Sequence, residues 1–300
     1  MPINFANKRF LVLGAGVTGS AVARSLQARG GTVSIADDNA PDSIKPESVN
    51  LQDFDAVVIS PGWRQDHPLV IKVLASDLEI LNEIDLAWQI RAEVAPGQKW
   101  LALTGTNGKT TTVEMTARIL QTAGLKAVAC GNVGDTVIEA VDRPEPYEYL
   151  VLELSSFQLH WAKQAEFVSS AILNIADDHL DWHGTFDAYA DAKFSILDRS
   201  AIAVLNADDG EVVKRSNRFT DRKVFFSLNT PAPGEIGVVE DLLVDRAFVS
   251  DPQQASMICE LSDIKPTVPH NVSNALAAAA LARSINIPHE TIQKALQEFR

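Results

Sequence analysis

Residues 103–111, which read LTGTNGKTT, combine the residue types that bind a nucleotide phosphate. A strand pattern before them and a helical pattern after them predict a glycine-rich turn whose unpaired N–H groups attract phosphate. Lys109 would contact the β- and γ-phosphates, and the Thr110 hydroxyl would bind Mg²⁺. The general pattern G-x-x-x-x-G-K-[ST] has a glycine where this chain has Leu103. The G-K-T-T run nevertheless favours nucleotide binding over a strand–turn–helix junction that merely uses glycines.

A second glycine-rich turn, GAGVTG at residues 14–19, follows an apolar strand pattern at residues 9–13. A helix and a further strand are expected next, and that strand ends at Asp37 and Asp38. Glycines at this spacing, with an acid about 20 residues later, form the fingerprint of dinucleotide binding, in which the acid contacts a ribose. From its residues alone, this segment predicts an NAD site.

Strands alternate with helices along most of the chain, which predicts an α/β fold with parallel sheets. We expect an N-terminal Rossmann-like domain at residues 1–95 and a central P-loop-type domain at residues 96–300, with a linker near 95–98. Between Gly234 and Ile264 the pattern changes to short alternating runs, which are typical of antiparallel hairpins. The strands predicted in the second domain are 100–104, 127–130, 149–154, 167–175, 201–206 and 224–227, followed by hairpin runs at 236–239, 242–244 and 247–249.

Carboxylate and imidazole side chains follow two of these strands. Glu153 ends one strand, where it could face the P-loop magnesium because ligands of parallel sheets gather at the carboxyl ends of strands. The alternative is an acid that caps the next turn. The segment NIADDHLDWHG follows another strand and either binds a divalent cation or forms a solvated acidic loop, and the P-loop favours a functional role for His179. Its titratable residues are Asp177, Asp178, His179, Asp181 and His183.

Two further segments have both a structural and a functional interpretation. Lys193 lies in a helical pattern, and composition alone would make it a surface lysine. Asn271 and Asn274 open an alanine-rich helix in the run HNVSNA. They would either cap that helix or contact a base or a metal ion.

Bulk properties are those of a globular cytoplasmic enzyme. The chain has 300 residues, 46% of them hydrophobic, and its net charge of −13 argues against a sequence-independent nucleic-acid binder. Cys130 and Cys259 are its only cysteines, so the sequence has no disulfide framework. The N-terminus lacks the layout of a signal peptide, and no apolar run approaches the ~20 residues of a membrane span. We expect a soluble monomer that binds neither nucleic acid nor membrane.

Taken together, these motifs resemble those of the Mur ligases of peptidoglycan synthesis, and within that family those of the members that add D-glutamate. The resemblance covers essentially the whole sequence, and the order and spacing of the motifs make it specific. It rests on GxGxTG at 14–19, SPG at 60–62, GTNGKTT at 105–111, GNVG at 131–134, ELSSFQL at 153–159, DHLDWHG at 178–184, AYADAK at 188–193 and HNVSNA at 270–275.

The resemblance implies a set of ligand contacts. The N-terminal turn would bind a UDP-sugar rather than NAD, through Gly16, Val17, Thr18, Asp37, Ser60, Pro61 and Gly62, with Asn132, Ser155 and Gln158 near the muramoyl part. An ATP site would comprise Gly105, Thr106, Asn107, Gly108, Lys109, Thr110, Thr111 and Asn271. Thr110 and Glu153 match the ligands of one magnesium ion, and His179 and Lys193 match a second site, where the family's lysine is carbamylated by CO₂. Lys109, His179 and Lys193 are the implied catalytic residues.

The implied reaction is the ATP-dependent formation of an amide. The L-alanyl carboxylate of UDP-N-acetylmuramoyl-L-alanine would attack the γ-phosphorus of ATP, giving ADP and an acyl phosphate, from which the amine of D-glutamate displaces phosphate. Family members carry a third domain that binds the amino acid. The sequence stops at Arg300, before that domain would begin, so we expect ligase activity to be weak or absent. The alternative is a regulatory or binding protein that joins an NAD-binding Rossmann unit to an ATPase.

Overall fold

The computed structural model describes residues 5–219 and 221–300, and it confirms the predicted α/β class. By their mutual contacts the residues divide into two compact units. The first unit comprises Met1–Gly97, Asp135–Pro146 and Phe157–Ala165, and the second comprises Gln98–Gly134, Tyr147–Ser156 and Glu166–Arg300. The sequence-based limits of 1–95 and 96–300 assign the two inserted segments, 135–146 and 157–165, to the second domain, whereas their contacts assign them to the first unit.

The helices and strands follow one another in an α/β order along the described residues. The strands are β1 (Arg9–Leu13), β2 (Thr32–Ala36), β3 (Ala56–Ile59), β4 (Glu79–Asn82), β5 (Lys99–Thr104), β6 (Ala127–Gly131), β7 (Tyr149–Glu153), β8 (Ser169–Ile172), β9 (Ile202–Asn206), β10 (Arg222–Phe226), β11 (Ile236–Val239), β12 (Leu242–Asp245) and β13 (Ser256–Glu260). The helices are α1 (Val17–Ala28), α2 (Pro68–Leu74), α3 (Glu83–Val94), α4 (Lys109–Thr122), α5 (Val137–Val141), α6 (Ser156–Trp161), α7 (Leu180–His183), α8 (Phe186–Phe194), α9 (Gly210–Ser216), α10 (Pro269–Arg283) and α11 (His289–Glu298).

The sheet of the first unit has four parallel strands in the order β2-β1-β3-β4. All of β3, and β1 after its first residue, are buried because both strands lie in the middle of the sheet. Their carboxyl ends lead into the glycine turn before α1 and into Ser60, and β2 leads into Asp37. Three segments that were expected to contact one ligand therefore leave the sheet at the same edge.

The sheet of the second unit has nine strands in the order β13-β12-β11-β10-β9-β8-β5-β7-β6. In this order, neighbouring strands from β11 through to β6 at the end pair in parallel. Strand β12 pairs antiparallel with both β11 and β13, as the change in sequence pattern predicted. Helix α10 packs against α4, and its residues 275–282 are all buried. A helix that is apolar on every side belongs in the interior. Within 5–219 and 221–300, none of the helices has both the length and the apolar character that crossing a bilayer requires.

Two buried acids in the first turn of α3 attach the inserted segments to the first unit. Glu83 accepts the N–H of Ile138 at 2.8 Å, which ties segment 135–146 to α3. The carboxylate of Asp85 accepts the N–H groups of residues 163, 164 and 165 at 2.7, 2.8 and 3.1 Å. Both acids are 2% exposed, and a buried carboxylate without such donors would be strongly destabilising. These bonds explain why the two segments belong to the first unit.

Glu83 is expected to make the stability of the first unit fall as the pH rises from about 4.5 to 7. Burial raises the pKa of this carboxyl to about 7, although the backbone N–H groups of α5 lower it. The folded unit keeps a proton that the unfolded chain has already lost. A stabilisation of about 3 kcal/mol is therefore present below the ordinary pKa and lost as the pH passes the folded pKa.

Urea unfolding between pH 4 and pH 8 measures this loss. Glu83→Gln keeps an acceptor oxygen for Ile138 and carries no titrating proton, so its stability should change much less over the same range. Glu93→Gln, at an exposed position of the same helix, is the matched control and should keep the wild-type slope. Equal slopes for the wild type and Glu83→Gln would contradict the assignment of this pH dependence to Glu83.

Two predicted strands differ from the structure. The strand expected at 167–175 covers only Ser169–Ile172, because the chain then turns into the candidate site. The hairpin run expected at 247–249 was wrong. The N–H groups of Ala247 and Phe248 both donate to Asp245 Oδ1 at 2.8 Å, so this stretch is a turn, and Ser256–Glu260 supplies the third antiparallel strand. The alternating pattern could not show that a buried carboxylate would bend the chain there.

Candidate functional site

Residues 105–108, called the phosphate loop from here on, lie between β5 and α4, as the sequence predicted. Gly108 immediately precedes the helix with a φ of 81°, in the left-handed region that favours glycine. A side chain at this position would also collide with Oδ1 of Asn274, which lies on α10. Glycine is therefore required at residue 108 both by backbone conformation and by the close approach of another helix.

Asn174 supports the phosphate loop, a role that sequence analysis missed. Its Oδ1 accepts the N–H groups of Thr106 and Asn107 at 3.0 and 2.8 Å, and its Nδ2 donates to the carbonyl of Asn107 at 3.0 Å. These two loop N–H groups are thus already paired. The first N–H groups of α4 lack intrahelical partners, as at every helix start, so they are the donors left for a phosphate. The only sequence signal for Asn174 was its place near the end of a predicted strand, as the first residue of the segment NIADDHLDWHG.

Two lysines converge on the carbonyl of Gly105. Lys109 Nζ donates to this oxygen at 3.0 Å and to the carbonyl of Thr106 at 2.9 Å. Lys193 Nζ donates to the Gly105 carbonyl at 2.7 Å, and at 2% exposure it is not the surface lysine that composition suggested. Burial and the neighbouring Lys109 charge lower the pKa of Lys193 to about 7, against the opposing charges of Asp178 and Glu153. Burial also lowers the pKa of Lys109.

Glu153 lies at the carboxyl end of β7 and is 2% exposed. Its Oε2 accepts the hydroxyl of Thr110 at 2.9 Å, and its Oε1 accepts the amide Nδ2 of Asn132 at 2.9 Å. A carboxylate beside a hydroxyl offers the hard oxygen atoms that Mg²⁺ prefers, and this ion is commonly held by few protein ligands together with substrate phosphates. Thr110 and Glu153, expected to share one magnesium ion, therefore fit that role.

His179 and His183 have different surroundings. His179 has a left-handed backbone with a φ of 50°, and its Nε2 lies 3.3 Å from a carboxylate oxygen of Asp178. Its side chain is 47% exposed. His183 is buried, and its Nε2 lies 2.9 Å from the hydroxyl of Ser156. In the described part of the chain, no three His, Cys, Asp or Glu side chains form a metal-binding group, so a metal site at His179 and Lys193 stays a prediction.

The two asparagines of α10 do not cap this helix. The N-cap residue is Val268, and the helix begins at Pro269, two positions before Asn271. Asn271 Nδ2 donates to the carbonyl of Pro266 at 3.0 Å, and Asn274 lies against Gly108 of the phosphate loop. The capping interpretation was wrong because proline, at the first helical position, sets the helix start earlier.

A cleft of about 680 Å³ lies in the first unit, at the carboxyl ends of its strands. It contains every UDP-sugar contact expected in this part of the chain, namely Gly16, Val17, Thr18, Asp37, Ser60, Pro61 and Gly62. It also contains residues that sequence analysis missed, among them Asn39, Trp63, Arg64, Asp66 and His67. Those residues belong to no motif of their own. Only the position of Asn39 after Asp37, and of the other four after the SPG turn, could have suggested them.

Asp37 shapes this cleft through its side-chain carboxylate. One carboxylate oxygen accepts the N–H of Ala15 at 2.8 Å, and the other accepts the N–H groups of Asn39 and Ala40 at 2.8 and 3.0 Å. The Ala15 bond is the largest of the effects that lower the pKa of Asp37. Asp37 therefore holds the glycine turn and the loop after β2 in place, and a ribose contact would use the lone pairs that remain.

The three residues expected near the muramoyl part lie on different elements. Asn132 follows β6 and contacts Glu153. Ser155 is half-buried in the second unit, directly before α6. Gln158 is buried on α6 in the first unit and is not among the residues that line the cleft. Asn132 and Ser155 thus belong to the second unit and Gln158 to the first, so the contacts within one unit do not bring all three together.

Comparison with known proteins gives one family. The Mur ligase middle domain matches residues 103–282. The UDP-N-acetylmuramoylalanine–D-glutamate ligase of Thermobifida fusca is 42% identical over 315 residues, which cover 98% of this chain and 67% of that protein. The ligase of the same name from Streptomyces avermitilis is 39% identical over 320 residues, which cover 99% of this chain and 68% of that protein.

Solved structures share the fold at lower sequence identity. The UDP-N-acetylmuramate:L-alanyl-gamma-D-glutamyl-meso-diaminopimelate ligase from Neisseria meningitides aligns with a TM-score of 0.65 and 18% identity over 98% of this chain and 99% of that one. The UDP-N-acetylmuramate-alanine ligase of Thermotoga maritima aligns with a TM-score of 0.56 and 22% identity over 98% of this chain and 68% of that one. At these identities the likeness concerns the fold alone.

Proposed function

Because this chain belongs to the Mur ligase family, we propose that it is a cytoplasmic, ATP-dependent ligase that joins D-glutamate to UDP-N-acetylmuramoyl-L-alanine. The observation that carries the proposal is the phosphate loop, in which Lys109, Thr110 and the buried Glu153 meet at the start of α4. The relatives at 42% and 39% identity, both named as D-glutamate ligases, support this choice of substrate within the family.

The proposed chemistry is activation of a carboxylate by ATP. A carboxylate oxygen of the L-alanyl group attacks the γ-phosphorus, the bond from that phosphorus to the β,γ-bridging oxygen breaks, and ADP leaves. The amine of D-glutamate then attacks the acyl carbon, loses a proton and displaces phosphate, which forms the amide. The free N–H groups of α4 and the Lys109 ammonium would orient the phosphates and balance their charge.

Mg²⁺, when bound, would neutralise charge on the phosphates, and Thr110 and Glu153 are the residues that would hold it. We include carbamylation of Lys193 in the proposal, in which its amine nitrogen bonds to the carbon of CO₂ and releases one proton. Burial of Lys193 and its pKa of about 7 support this step, because the neutral amine is the form that attacks CO₂. The product would be an anionic oxygen ligand beside the phosphate loop.

Calorimetric titration with UDP-N-acetylmuramoyl-L-alanine, UDP-N-acetylglucosamine and NAD tests the first half of the proposal. The muramoyl nucleotide should bind in preference to both others, and Thr18→Ala should weaken its binding by about five-fold, the loss of one hydrogen bond from the cleft. Thr32→Ala, at an exposed position at the start of β2, is the matched control and should bind like the wild type. Binding of NAD without a response to either UDP-sugar would instead support the dinucleotide-binding alternative.

A further inference from the structure

Tyr189 is a fully buried residue of α8 that contacts the phosphate loop. Lys193 Nζ lies 4.9 Å from the centroid of its ring. The rings of His179 and His183 stand edge-on to it, with centroids at 6.5 and 5.5 Å. A phenylalanine would fill the same space, so what distinguishes Tyr189 is the hydrogen bond that its hydroxyl forms.

The Tyr189 hydroxyl forms a hydrogen bond with the hydroxyl of Thr106, 3.0 Å away in the phosphate loop. The same Thr106 oxygen accepts the N–H of Ala176 at 3.0 Å. Thr106 is therefore held through its side chain from α8 and from the segment after β8. Asn174 holds the backbone N–H of the same residue.

The contacts of Tyr189 and Asn174 with Thr106 become more important once a nucleotide binds, because Lys109 then changes partners. Its ammonium donates to the carbonyls of Gly105 and Thr106, so in this structure it also supports the loop. A phosphate competes for that ammonium, and the loop loses those two bonds when Lys109 turns to the phosphate. The bonds from Tyr189 and Asn174 do not involve the Lys109 ammonium, so they remain available to keep the shape of the loop.

We infer that Tyr189 is a positioning residue that holds the phosphate loop in its ATP-binding conformation through the hydroxyl of Thr106. The inference rests on the proposed ATP site and adds to it a residue that acts through another. Because the bond lies entirely within the second unit, its loss should weaken the binding of ATP and leave the cleft of the first unit unaffected.

The test is calorimetric titration of the whole chain with AMP-PCP and Mg²⁺, and separately with UDP-N-acetylmuramoyl-L-alanine. Tyr189→Phe removes the hydroxyl and keeps the ring, and it should weaken AMP-PCP binding by about five- to ten-fold, the loss of one net hydrogen bond. Thr106→Val removes the bond from its other end. If the two residues act through this bond, Tyr189→Phe should add less than about two-fold in the Thr106→Val background.

Tyr149→Phe is the matched control, since it removes the same group from the second unit. Tyr149 is the first residue of β7, and Glu153 is the last residue of the same strand. The Tyr149→Phe variant should therefore bind AMP-PCP like the wild type. Wild-type affinity in Tyr189→Phe would overturn the inference. So would an equal loss of affinity for both ligands together with a lower melting temperature, which would indicate a general role in folding. Wild-type protein that binds UDP-N-acetylmuramoyl-L-alanine but not AMP-PCP refutes the ATP site itself and with it this inference.

Discussion

Replacement of Lys109 by alanine is expected to weaken the binding of ATP by about 10- to 100-fold. Lys109 is the loop residue whose ammonium can turn from the carbonyls of Gly105 and Thr106 to a phosphate. Hydrogen bonds to charged groups contribute about 1.5–3 kcal/mol each, which corresponds to this loss of affinity. Lys193 does not substitute for it, because its Nζ is buried against the Gly105 carbonyl. Titration with AMP-PCP and Mg²⁺ measures the effect.

A lysine elsewhere in the same unit provides the control for this experiment. Lys294 is exposed on α11, and Lys294→Ala changes the net charge by the same amount without touching the phosphate loop. Affinity for UDP-N-acetylmuramoyl-L-alanine should be the same in both variants, since its proposed cleft lies in the first unit. If Lys109→Ala bound AMP-PCP as tightly as Lys294→Ala, the loop would not be a phosphate site.

Asp245→Ala is expected to destabilise the second unit by about 3–5 kcal/mol. Asp245 is fully buried, and its Oδ2 accepts Arg283 Nε and His289 Nε2, both at 2.9 Å. Burial alone would raise the pKa of Asp245, but the hydrogen bonds, led by that from His289, lower it overall. Its removal leaves the guanidinium of Arg283 without its carboxylate partner in a largely buried position, which is the costly way to break such a pair.

Thermal unfolding measures this destabilisation, and a fall of about 10 °C is expected for a unit of this size. Asp241→Ala, in the exposed turn between β11 and β12, is the matched control and should stay within about 0.5 kcal/mol of the wild type. The sign of the pH effect follows from the lowered pKa. The contribution of Asp245 is complete above the ordinary pKa of an aspartate and is lost as the pH falls through its folded pKa. A melting temperature unchanged by Asp245→Ala would show that the buried cluster contributes nothing.

Sequence patterns predicted those features whose physical cause is local. The apolar run before the first glycine turn placed β1 at its observed bounds, and Asp37 and Asp38 follow β2 as expected. The G-K-T-T run placed the phosphate loop before α4, and the strand-end position of Glu153 indicated that it could face this loop, whose Thr110 it contacts. In each case the relevant residues are neighbours in sequence, or lie at one edge of a parallel sheet, so that periodicity and turn chemistry suffice.

The support of the site could not be predicted, because it depends on pairs that are distant in sequence. Asn174 contacts Thr106 across 68 residues and Tyr189 contacts it across 83. Neither an asparagine after a strand nor a tyrosine in a helical pattern indicates which backbone or hydroxyl group it will meet. Composition alone would have placed Lys193 on the surface for the same reason, since its burial results from the packing of α8. The turn at Asp245 likewise depends on a buried cluster that includes Arg283 and His289.

The attachment of segment 157–165 to α3 has a consequence for biosynthesis. Asp85 is made early, but the three N–H groups that pair with its carboxylate belong to residues 163–165. The ribosome must add about 70 residues beyond Gly97 before they exist, which takes roughly 4–14 s at 5–20 residues per second. By then β5, the phosphate loop and α4 have already been synthesised. The N-terminal unit therefore cannot complete its native contacts until the first part of the second unit has also been synthesised.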